Sequence, residues 1–224
     1  MVRLREKENC FFIENLFEEN IVAGFSKPTF KGNVLEDIPQ IFEPSSENFK
    51  IAFLNQVHSS TIHSIQKQGC FEGDGLITKK TGIICVVRTA DCMPIFLSSE
   101  ELGIIGIIHM GWRGAKKGIL DNIKYALKSF KAIAGLGMRQ CCYKVGREFL
   151  EYPEFSEFLR KDDNDLYFNP IDFIEKRLTA HGLREDNFFD LNMCSHCSKE
   201  NFFSFRRDST DNRTLSFIVK TGKA

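Results

Sequence analysis

Two histidines and one cysteine lie where predicted strands end. His58 follows a strand predicted at 50–54, Cys92 lies between two apolar segments, and His109 closes the most apolar segment of the chain. Ligand-binding residues favour such positions. Two imidazoles and one thiolate form a three-ligand zinc site with a fourth position open for water or substrate. The competing interpretations are separate packing of each residue and a Cys92 nucleophile activated by a histidine, because the spacing matches no local metal motif.

A glycine-rich turn follows His109 directly. The segment Gly111-Trp112-Arg113-Gly114 precedes apolar residues at helical spacing, so it joins a predicted strand to a predicted helix. Its two glycines permit close approach of the backbone to a ligand. The guanidinium of Arg113 and the helix N-terminus favour an anion such as phosphate, ribose-phosphate or a carboxylate. An ordinary turn with a solvated arginine is the alternative.

Two further segments near the C-terminus carry reactive side chains. Cys194-Ser195-His196-Cys197 has the spacing of a redox pair or of half a zinc site, but no second pair at suitable spacing follows it. The sequence therefore favours a functional or structural role for Cys194 alone and leaves His196 and Cys197 unassigned. The segment 202–208 is predicted to be an aromatic strand with two arginines, suited to base stacking and anion binding or to a core strand with surface ion pairs.

The elements that must position these residues mix strands and helices without strict alternation. Strands are predicted at 50–54, 82–88, 94–97, 103–108, 188–191, 202–206 and 214–220, and helices at 119–130, near 147–160 and at 170–181. The apolar strands without alternation are expected to be covered on both faces. The pattern predicts an α+β fold, a single compact domain of residues 1–224 with a large mixed β-sheet flanked by helices.

The composition argues against several classes of function. The chain has 224 residues and equal numbers of basic and acidic side chains, 30 of each. Zero net charge argues against nucleic-acid binding and against binding to an anionic membrane surface. The longest apolar segment, 102–110, is far shorter than the ~20 residues of a membrane-spanning helix. The charged N-terminus lacks the apolar core of a secretory signal, so we expect a cytoplasmic protein whose eight cysteines are reduced.

Six segments in one order resemble a known family. They are Asn55-Gln56-Val57-His58-Ser59, Gly73-Asp74-Gly75-Leu76-Ile77-Thr78, Thr89-Ala90-Asp91-Cys92-Met93-Pro94, His109-Met110-Gly111-Trp112-Arg113-Gly114, Cys141-Cys142-Tyr143-Lys144-Val145-Gly146 and Phe202-Phe203-Ser204-Phe205-Arg206-Arg207-Asp208. The series resembles the YfiH-like family, whose members are known as polyphenol oxidase or laccase-domain proteins and as purine nucleoside phosphorylases. The resemblance covers about 21–224.

The resemblance implies a reaction and its partners. It implies a protein with a single-domain fold that catalyses the phosphorolysis of adenosine, inosine and methylthioadenosine, with adenosine deamination as a companion activity. The expected partners are a purine nucleoside and phosphate, with no nucleic acid and no membrane. The chain is expected to be a monomer or a small homo-oligomer.

The resemblance also implies the residues of the site. A metal is expected at His58, Cys92 and His109, which are the candidate catalytic residues as well. Substrate contacts are expected from Arg113 and Arg206 in an anion pocket, and from Asn55, Asp91 and Trp112 around the nucleoside.

Three other functions stay open at this point. The first is copper-dependent oxidation of phenols, since two histidines and a cysteine also describe a blue-copper ligand set. A trinuclear copper cluster in addition would need more imidazoles than the five histidines of this chain. Zinc therefore fits the open site and a reduced compartment better than copper. The other two are editing of a peptidoglycan precursor and a non-catalytic binding module.

Overall fold

Two large mixed β-sheets organise the fold. The computed structural model describes residues 2–7, 9–30, 38 and 48–222. The first sheet has seven strands among these residues, in the spatial order β1 (Arg3–Lys7), β2 (Cys10–Glu14), β3 (Ile21–Ser26), β16 (Thr214–Lys220), β8 (Ile83–Thr89), β4 (Lys50–Asn55) and β6 (Gly69–Glu72). Its strands are antiparallel except that β4 runs parallel to both β6 and β8.

The second sheet carries the most apolar strands. Within the described residues it has six strands, in the order β15 (Phe188–Asp190), β11 (Lys131–Ala134), β9 (Met93–Ser99), β10 (Ile104–Met110), β7 (Gly75–Thr78) and β5 (Ile62–Ile65). The two outer pairs are parallel and the inner pairs antiparallel. A third, smaller sheet orders β12 (Lys144–Val145), β14 (Asp165–Phe168) and β13 (Leu159–Asp162).

The central strands are covered on both faces, as the unbroken apolar segments predict. On β10, Ile105 and Ile107 pack into a cluster between the two large sheets, whereas Ile104 and Ile108 pack into a cluster on the opposite face. The cluster that contains Ile104 and Ile108 also contains Phe173 and other residues of the helical layer. Burial of large apolar side chains on both faces of a strand stabilises its position strongly.

Three α-helices flank the sheets in the described part of the chain: α1 (Trp112–Lys116), α2 (Pro170–Ala180) and α3 (Phe205–Asp208). Helix α2 confirms the sequence prediction. The side chain of Asn169 accepts hydrogen bonds from two amides of its first turn, and Gly182 follows its end with a φ of +92°. None of the described helices has the length and apolar character that a membrane crossing requires.

Three local predictions are wrong. The predicted helix at 119–130 is absent: after Gly118, which adopts a φ of +75°, the chain continues in turns. Ile119, Ile123 and Phe130 are nevertheless buried, so their spacing reflects burial and not a helix.

The other two wrong predictions are explained by local backbone chemistry. The predicted helix near 147–160 is replaced by two 3₁₀ segments, Arg147–Glu151 and Pro153–Phe158, because a proline disfavours helical geometry in the residue before it. The predicted strand at 202–206 is absent because Ser204 caps α3, its Oγ accepting a hydrogen bond from the amide of Arg207 at 3.2 Å.

Candidate active site

The antiparallel pairing of β9 with β10 brings two of the predicted ligands together. Its register places Met110 opposite Met93, so Cys92 lies beside the residues that follow His109. His58 comes from the loop between β4 and β5, and its Nε2 lies 3.7 Å from Cys92 Sγ. The rings of His58 and His109 meet edge to face, with centroids 4.9 Å apart. We call these three residues the triad.

A buried carboxylate that the sequence analysis did not assign holds the triad in place. Asp74 is fully buried. Its Oδ1 accepts hydrogen bonds from the amide of His58 at 3.1 Å and from His109 Nδ1 at 2.8 Å. Its Oδ2 accepts two more from Ser59, from the amide at 2.5 Å and from Oγ at 2.7 Å. Because His109 donates through Nδ1, its Nε2 is the nitrogen that remains for a metal.

The charges of these groups are strongly coupled. Burial raises the pKa of Cys92, but the charges and hydrogen bonds of His109 and His58 outweigh it and lower the pKa to about 6. Burial lowers the pKa of His109, but Cys92 and Asp74 raise it to about 9. Burial also raises the pKa of Asp74, which hydrogen bonds from His109 and Ser59 lower to about 2. At neutral pH the triad without metal is therefore a thiolate beside an imidazolium.

The triad fits a metal ion by its donor set and by the space around it. One nitrogen of each histidine and the Cys92 sulfur all lie within 4.8 Å of one another. Zinc binds such atoms at ~2.0–2.3 Å, so atoms this close to one another are suitable ligands for one shared ion. A Cβ at Gly111 would lie 2.8 Å from His58 Cδ2 and 2.9 Å from Cys92 Sγ. Glycine at this position therefore leaves the ligands the room they occupy.

The triad lies on the wall of a cavity of about 750 Å³ that four arginines also line. They are Arg88, Arg113, Arg206 and Arg213. This volume is typical of small-molecule sites, and several guanidinium groups lining one cavity favour an anionic ligand group. Tyr143 and Phe205 add aromatic surface to the same cavity.

Four of the five residues expected to contact substrate line this cavity. They are Asp91, Trp112, Arg113 and Arg206. Asn55 is exposed at the end of β4 and is not among the lining residues. The adjacent Gln56 lines the cavity instead, and its side-chain amide exchanges two 2.8 Å hydrogen bonds with the backbone of Arg88.

Asp91 joins three segments of the cavity wall. Its carboxylate accepts hydrogen bonds from Ser195 Oγ and from the amide of Arg206, each at 2.8 Å. Its carbonyl accepts a hydrogen bond from the amide of Met138 at 2.8 Å. Asp91 therefore positions the N-terminus of α3 and the loop at Ser195, in addition to any contact with substrate.

The side chains of Trp112 and the arginines are held by their neighbours. The guanidinium of Arg113 lies 4.6 Å from the centroid of the Trp112 ring. Arg206 donates to the carbonyl of Lys144, and Arg213 donates to the carbonyls of Thr210 at 2.6 Å and Asn212 at 2.9 Å. These bonds restrict the orientations of the guanidinium groups.

The sequence analysis missed two side chains of the candidate site, Asp74 and Arg213, because only indirect features of the sequence pointed to them. Asp74 lies inside the segment 73–78, which the family resemblance included without assigning a role to any residue. Arg213 was assigned no role, and the long-range pairing of β16 with β8 brings it to the cavity. Neither role follows from local sequence.

The structure also corrects the interpretation of the C-terminal C-x-x-C segment. A second cysteine pair does exist, and it is the adjacent pair Cys141 and Cys142. The sulfur atoms of these two and of Cys194 and Cys197 all lie within 4.8 Å of one another. No disulfide bond joins cysteines within the described residues.

Comparisons with known proteins decide the family. Residues 31–221 match the family described as multi-copper polyphenol oxidoreductase laccase. A protein of Borreliella burgdorferi named purine nucleoside phosphorylase is 32% identical over 218 residues, which cover 89% of this chain and 93% of that protein. This chain belongs to the YfiH-like family. The resemblance stated from the six sequence segments is therefore confirmed.

Other members of the YfiH-like family agree in sequence and in fold. A protein of Aquifex aeolicus, also named purine nucleoside phosphorylase, is 37% identical over 153 residues, or 66% of this chain and 71% of that protein. The solved structure of YlmD from Geobacillus stearothermophilus superposes with a TM-score of 0.86 at 21% identity, covering 97% and 98% of the two chains. YfiH from Bacillus licheniformis gives 0.84 at 18%, covering 96% and 98%. The predicted α+β fold with mixed sheets is thus confirmed.

Proposed function

We propose that this protein is a zinc-dependent purine nucleoside phosphorylase that also deaminates adenosine. The observation behind the proposal is a single cavity that contains the triad and four arginines. A nucleoside and a phosphate ion need apolar or aromatic surface and fixed positive charge, and this cavity offers both. The names of the curated relatives support the phosphorylase part of this proposal.

Phosphorolysis makes specific demands on the arginines. The reaction breaks the bond from ribose C1′ to N9 of the purine and forms a bond from C1′ to a phosphate oxygen. The products are ribose 1-phosphate and a purine base that takes up a proton. Phosphate must therefore be held beside C1′ while positive charge develops on the ribose. Arg206 and Arg213 suit this role because their backbone contacts preorganise the two guanidinium groups.

The nucleoside has candidate contacts on the same wall. Tyr143 and Phe205 offer aromatic surface for the purine. Trp112, with Arg113 against its ring, lies directly after the triad strand β10. We propose that Asp91 and Trp112 orient the nucleoside, and that Gln56 contributes where Asn55 was expected, because Gln56 lines the cavity.

Zinc is the metal that the triad fits best. His58, Cys92 and His109 would hold it, and Asp74 keeps His109 in the tautomer that leaves Nε2 for coordination. When bound, such an ion supplies Lewis acidity or lowers the pKa of a water, which suits hydrolysis of the purine C6 amine. Deamination balances as adenosine plus water giving inosine plus ammonia. The Cys92 thiolate is the alternative nucleophile.

The test is an assay with purified, metal-analysed protein. We expect inosine and phosphate to give hypoxanthine and ribose 1-phosphate, with no conversion when phosphate is omitted. Adenosine without phosphate should give inosine and ammonia. Cys92→Ala, verified as folded, should lose both activities, whereas Cys70→Ser should keep them because Cys70 is exposed on β6, outside the cavity. Absence of ribose 1-phosphate from zinc-loaded, folded protein would refute the phosphorylase assignment.

Copper-dependent oxidation of phenols is the second candidate, favoured by the description of the matching family. Among the described residues, the triad is the only histidine-containing group found close enough to hold a metal. His63 contacts the carbonyl of Glu72, and His181 contacts Asp121. Oxygen uptake with a phenol by copper-loaded protein, exceeding turnover of inosine by zinc-loaded protein, would favour this candidate.

We propose that the whole chain acts as one catalytic domain, because the cavity is lined by residues from Gln56 to Arg213. We also propose that it acts in the cytoplasm, where cysteine thiols stay reduced. Its oligomeric state, monomer or small homo-oligomer, can be measured by light scattering.

A further inference from the structure

Four cysteines converge at a second position, apart from the triad. Cys141 and Cys142 come from the loop after β11, and Cys194 and Cys197 come from the loop after β15. Their four sulfur atoms all lie within 4.8 Å of one another, and the Cys141 and Cys197 sulfurs are 3.7 Å apart. We call these residues the thiol cluster.

We propose that the thiol cluster is a second metal site, which binds Zn²⁺ through four thiolates. A tetrahedral zinc ion with Zn–S bonds of ~2.3 Å places its sulfur ligands roughly 3.8 Å apart. The observed separation of 3.7 Å matches that spacing and is far from the ~2.05 Å of a disulfide bond. Sulfur is also the ligand that favours zinc over magnesium or calcium.

The backbone around Cys194 is shaped for a bound thiolate. The amide of Ser198 donates to the carbonyl of Cys194 at 3.1 Å, which closes a tight turn across the C-x-x-C segment. Backbone amides of Arg139, His196 and Cys197 donate to the Cys194 sulfur. The amide of Ser195 donates to the carbonyl of Gly137 at 3.1 Å and joins the two loops. Amide donors stabilise negative charge on sulfur.

The charge of the proposed site has a counterion in place. Four thiolates around Zn²⁺ carry two net negative charges. Arg139 is only 7% exposed, and burial lowers its pKa, although the negative charges of Asp190, Cys194 and Cys141 oppose that effect. Its Nη2 binds the carbonyl of Gly135 and the carboxylate of Asp190, each at 2.6 Å. Its Nη1 is buried without a hydrogen-bond partner among the described residues.

The site would be structural and would support the wall of the cavity. All four positions of a tetrahedral ion are filled by protein, so none is left for a substrate. Ser195 lies within the C-x-x-C segment and donates to Asp91. Tyr143 follows Cys142 directly and lines the cavity. Loading the site releases the thiol protons and involves no change of oxidation state.

The first test counts metal ions. We expect two zinc ions per chain in protein purified under reducing conditions, and one in each of Cys197→Ser and His58→Ala. Cys70→Ser is the matched control and should keep both ions, since Cys70 is exposed and belongs to neither site. A folded Cys197→Ser variant with the same zinc content as the wild type would overturn the proposal.

The second test needs no variant of the cluster. Metal-free wild-type protein is titrated with Co²⁺ under anaerobic conditions. We expect the intense charge-transfer and visible bands of a tetrahedral four-thiolate site, which a site with one thiolate does not give. Failure to develop these bands, or recovery of a disulfide between Cys141 and Cys197 from anaerobically purified protein, would refute the proposal. Neither test measures turnover, so its outcome is independent of the proposed reaction.

Discussion

Replacing Asp74 by asparagine is the sharpest test of how the triad is organised. Each of the two carboxylate oxygens accepts two hydrogen bonds, so the side chain of Asp74 faces four donor groups. An asparagine has one acceptor and one donor end, so whichever way it faces, its NH₂ group meets an N–H donor.

The less costly orientation follows from the partners. If the asparagine NH₂ group faces Ser59, it meets the backbone amide of Ser59, which can only donate a hydrogen bond and cannot accept one. With NH₂ towards His109 the imidazole can move its proton from Nδ1 to Nε2 and accept. That tautomer removes the lone pair that would bind the metal. Either way one backbone amide, of His58 or Ser59, loses its buried acceptor.

The magnitudes follow from this geometry. Loss of an outer carboxylate partner of a metal-binding histidine typically lowers metal affinity about 10- to 100-fold. That corresponds to about 1.4–2.8 kcal/mol of binding free energy. The unpaired buried amide should lower the free energy of unfolding of the metal-free protein by about 1–3 kcal/mol.

The assay is competition for Zn²⁺ with a chromophoric chelator, combined with urea unfolding of the metal-free protein. Ser59→Ala is the matched control, because it removes one hydroxyl donor to Asp74 and leaves the tautomer of His109 unchanged. It should lower stability by about 0.5–1.5 kcal/mol with little effect on affinity. Wild-type zinc affinity in a folded Asp74→Asn variant would refute the assigned role of Asp74.

Three further predictions address the ligands, the anion pocket and a surface carboxyl. Gly111→Ala should weaken zinc binding at the triad, measured by the same competition, because the added Cβ would lie within 2.9 Å of two triad side chains. The φ of −91° at this position suits alanine, so the effect would come from crowding and not from backbone strain. Unchanged zinc affinity would contradict the close fit. Arg206→Met should raise the KM for phosphate about tenfold or more, and the KM for inosine much less. Arg160→Met is the control and should change neither KM, because Arg160 lies outside the cavity. Equal effects of Arg206→Met on both substrates would argue against a contact with the anion. Burial and two neighbouring carboxylates raise the pKa of Glu175, so its ionised form destabilises the folded state above that pKa. Glu175→Gln should therefore melt higher than the wild type at pH 7, with a gain that disappears as the pH falls below about 4.

The sequence predicted the strands better than the helices for a physical reason. Burial on both faces produces continuous apolar segments such as those of β8, β9 and β10, and these were found. Burial of a turn-rich segment also places apolar residues three or four apart. The segment from Ile119 to Phe130 therefore imitated a helix. In the structure the left-handed backbone at Gly118 is followed by turns, and a glycine alone does not predict this.

The proximity of the triad residues could be expected from the sequence, but the position of Asp74, which holds them, could not. Cys92 and His109 adjoin because two consecutive strands form an antiparallel pair, which is the simplest connection. Asp74 reaches His109 because β7 pairs on the other side of β10, with Gly75 opposite Ile108. That register is a property of the assembled sheet. The meeting of two cysteine pairs across β11 and β15 depends on sheet assembly in the same way.

Backbone strain gives an independent reason to place the chemistry at this end of the sheets. His58 and Asp91 have φ values of 54° and 87°, a region that non-glycine residues enter at a cost of about 1–3 kcal/mol. Glycine would relieve the strain, but it would provide neither an imidazole nor a carboxylate. Hydrogen bonds to Asp74 hold the first residue, and those from Ser195 and the Arg206 amide hold the second. At these two positions the strained backbone coincides with proposed site residues, and the surrounding hydrogen bonds hold both in place.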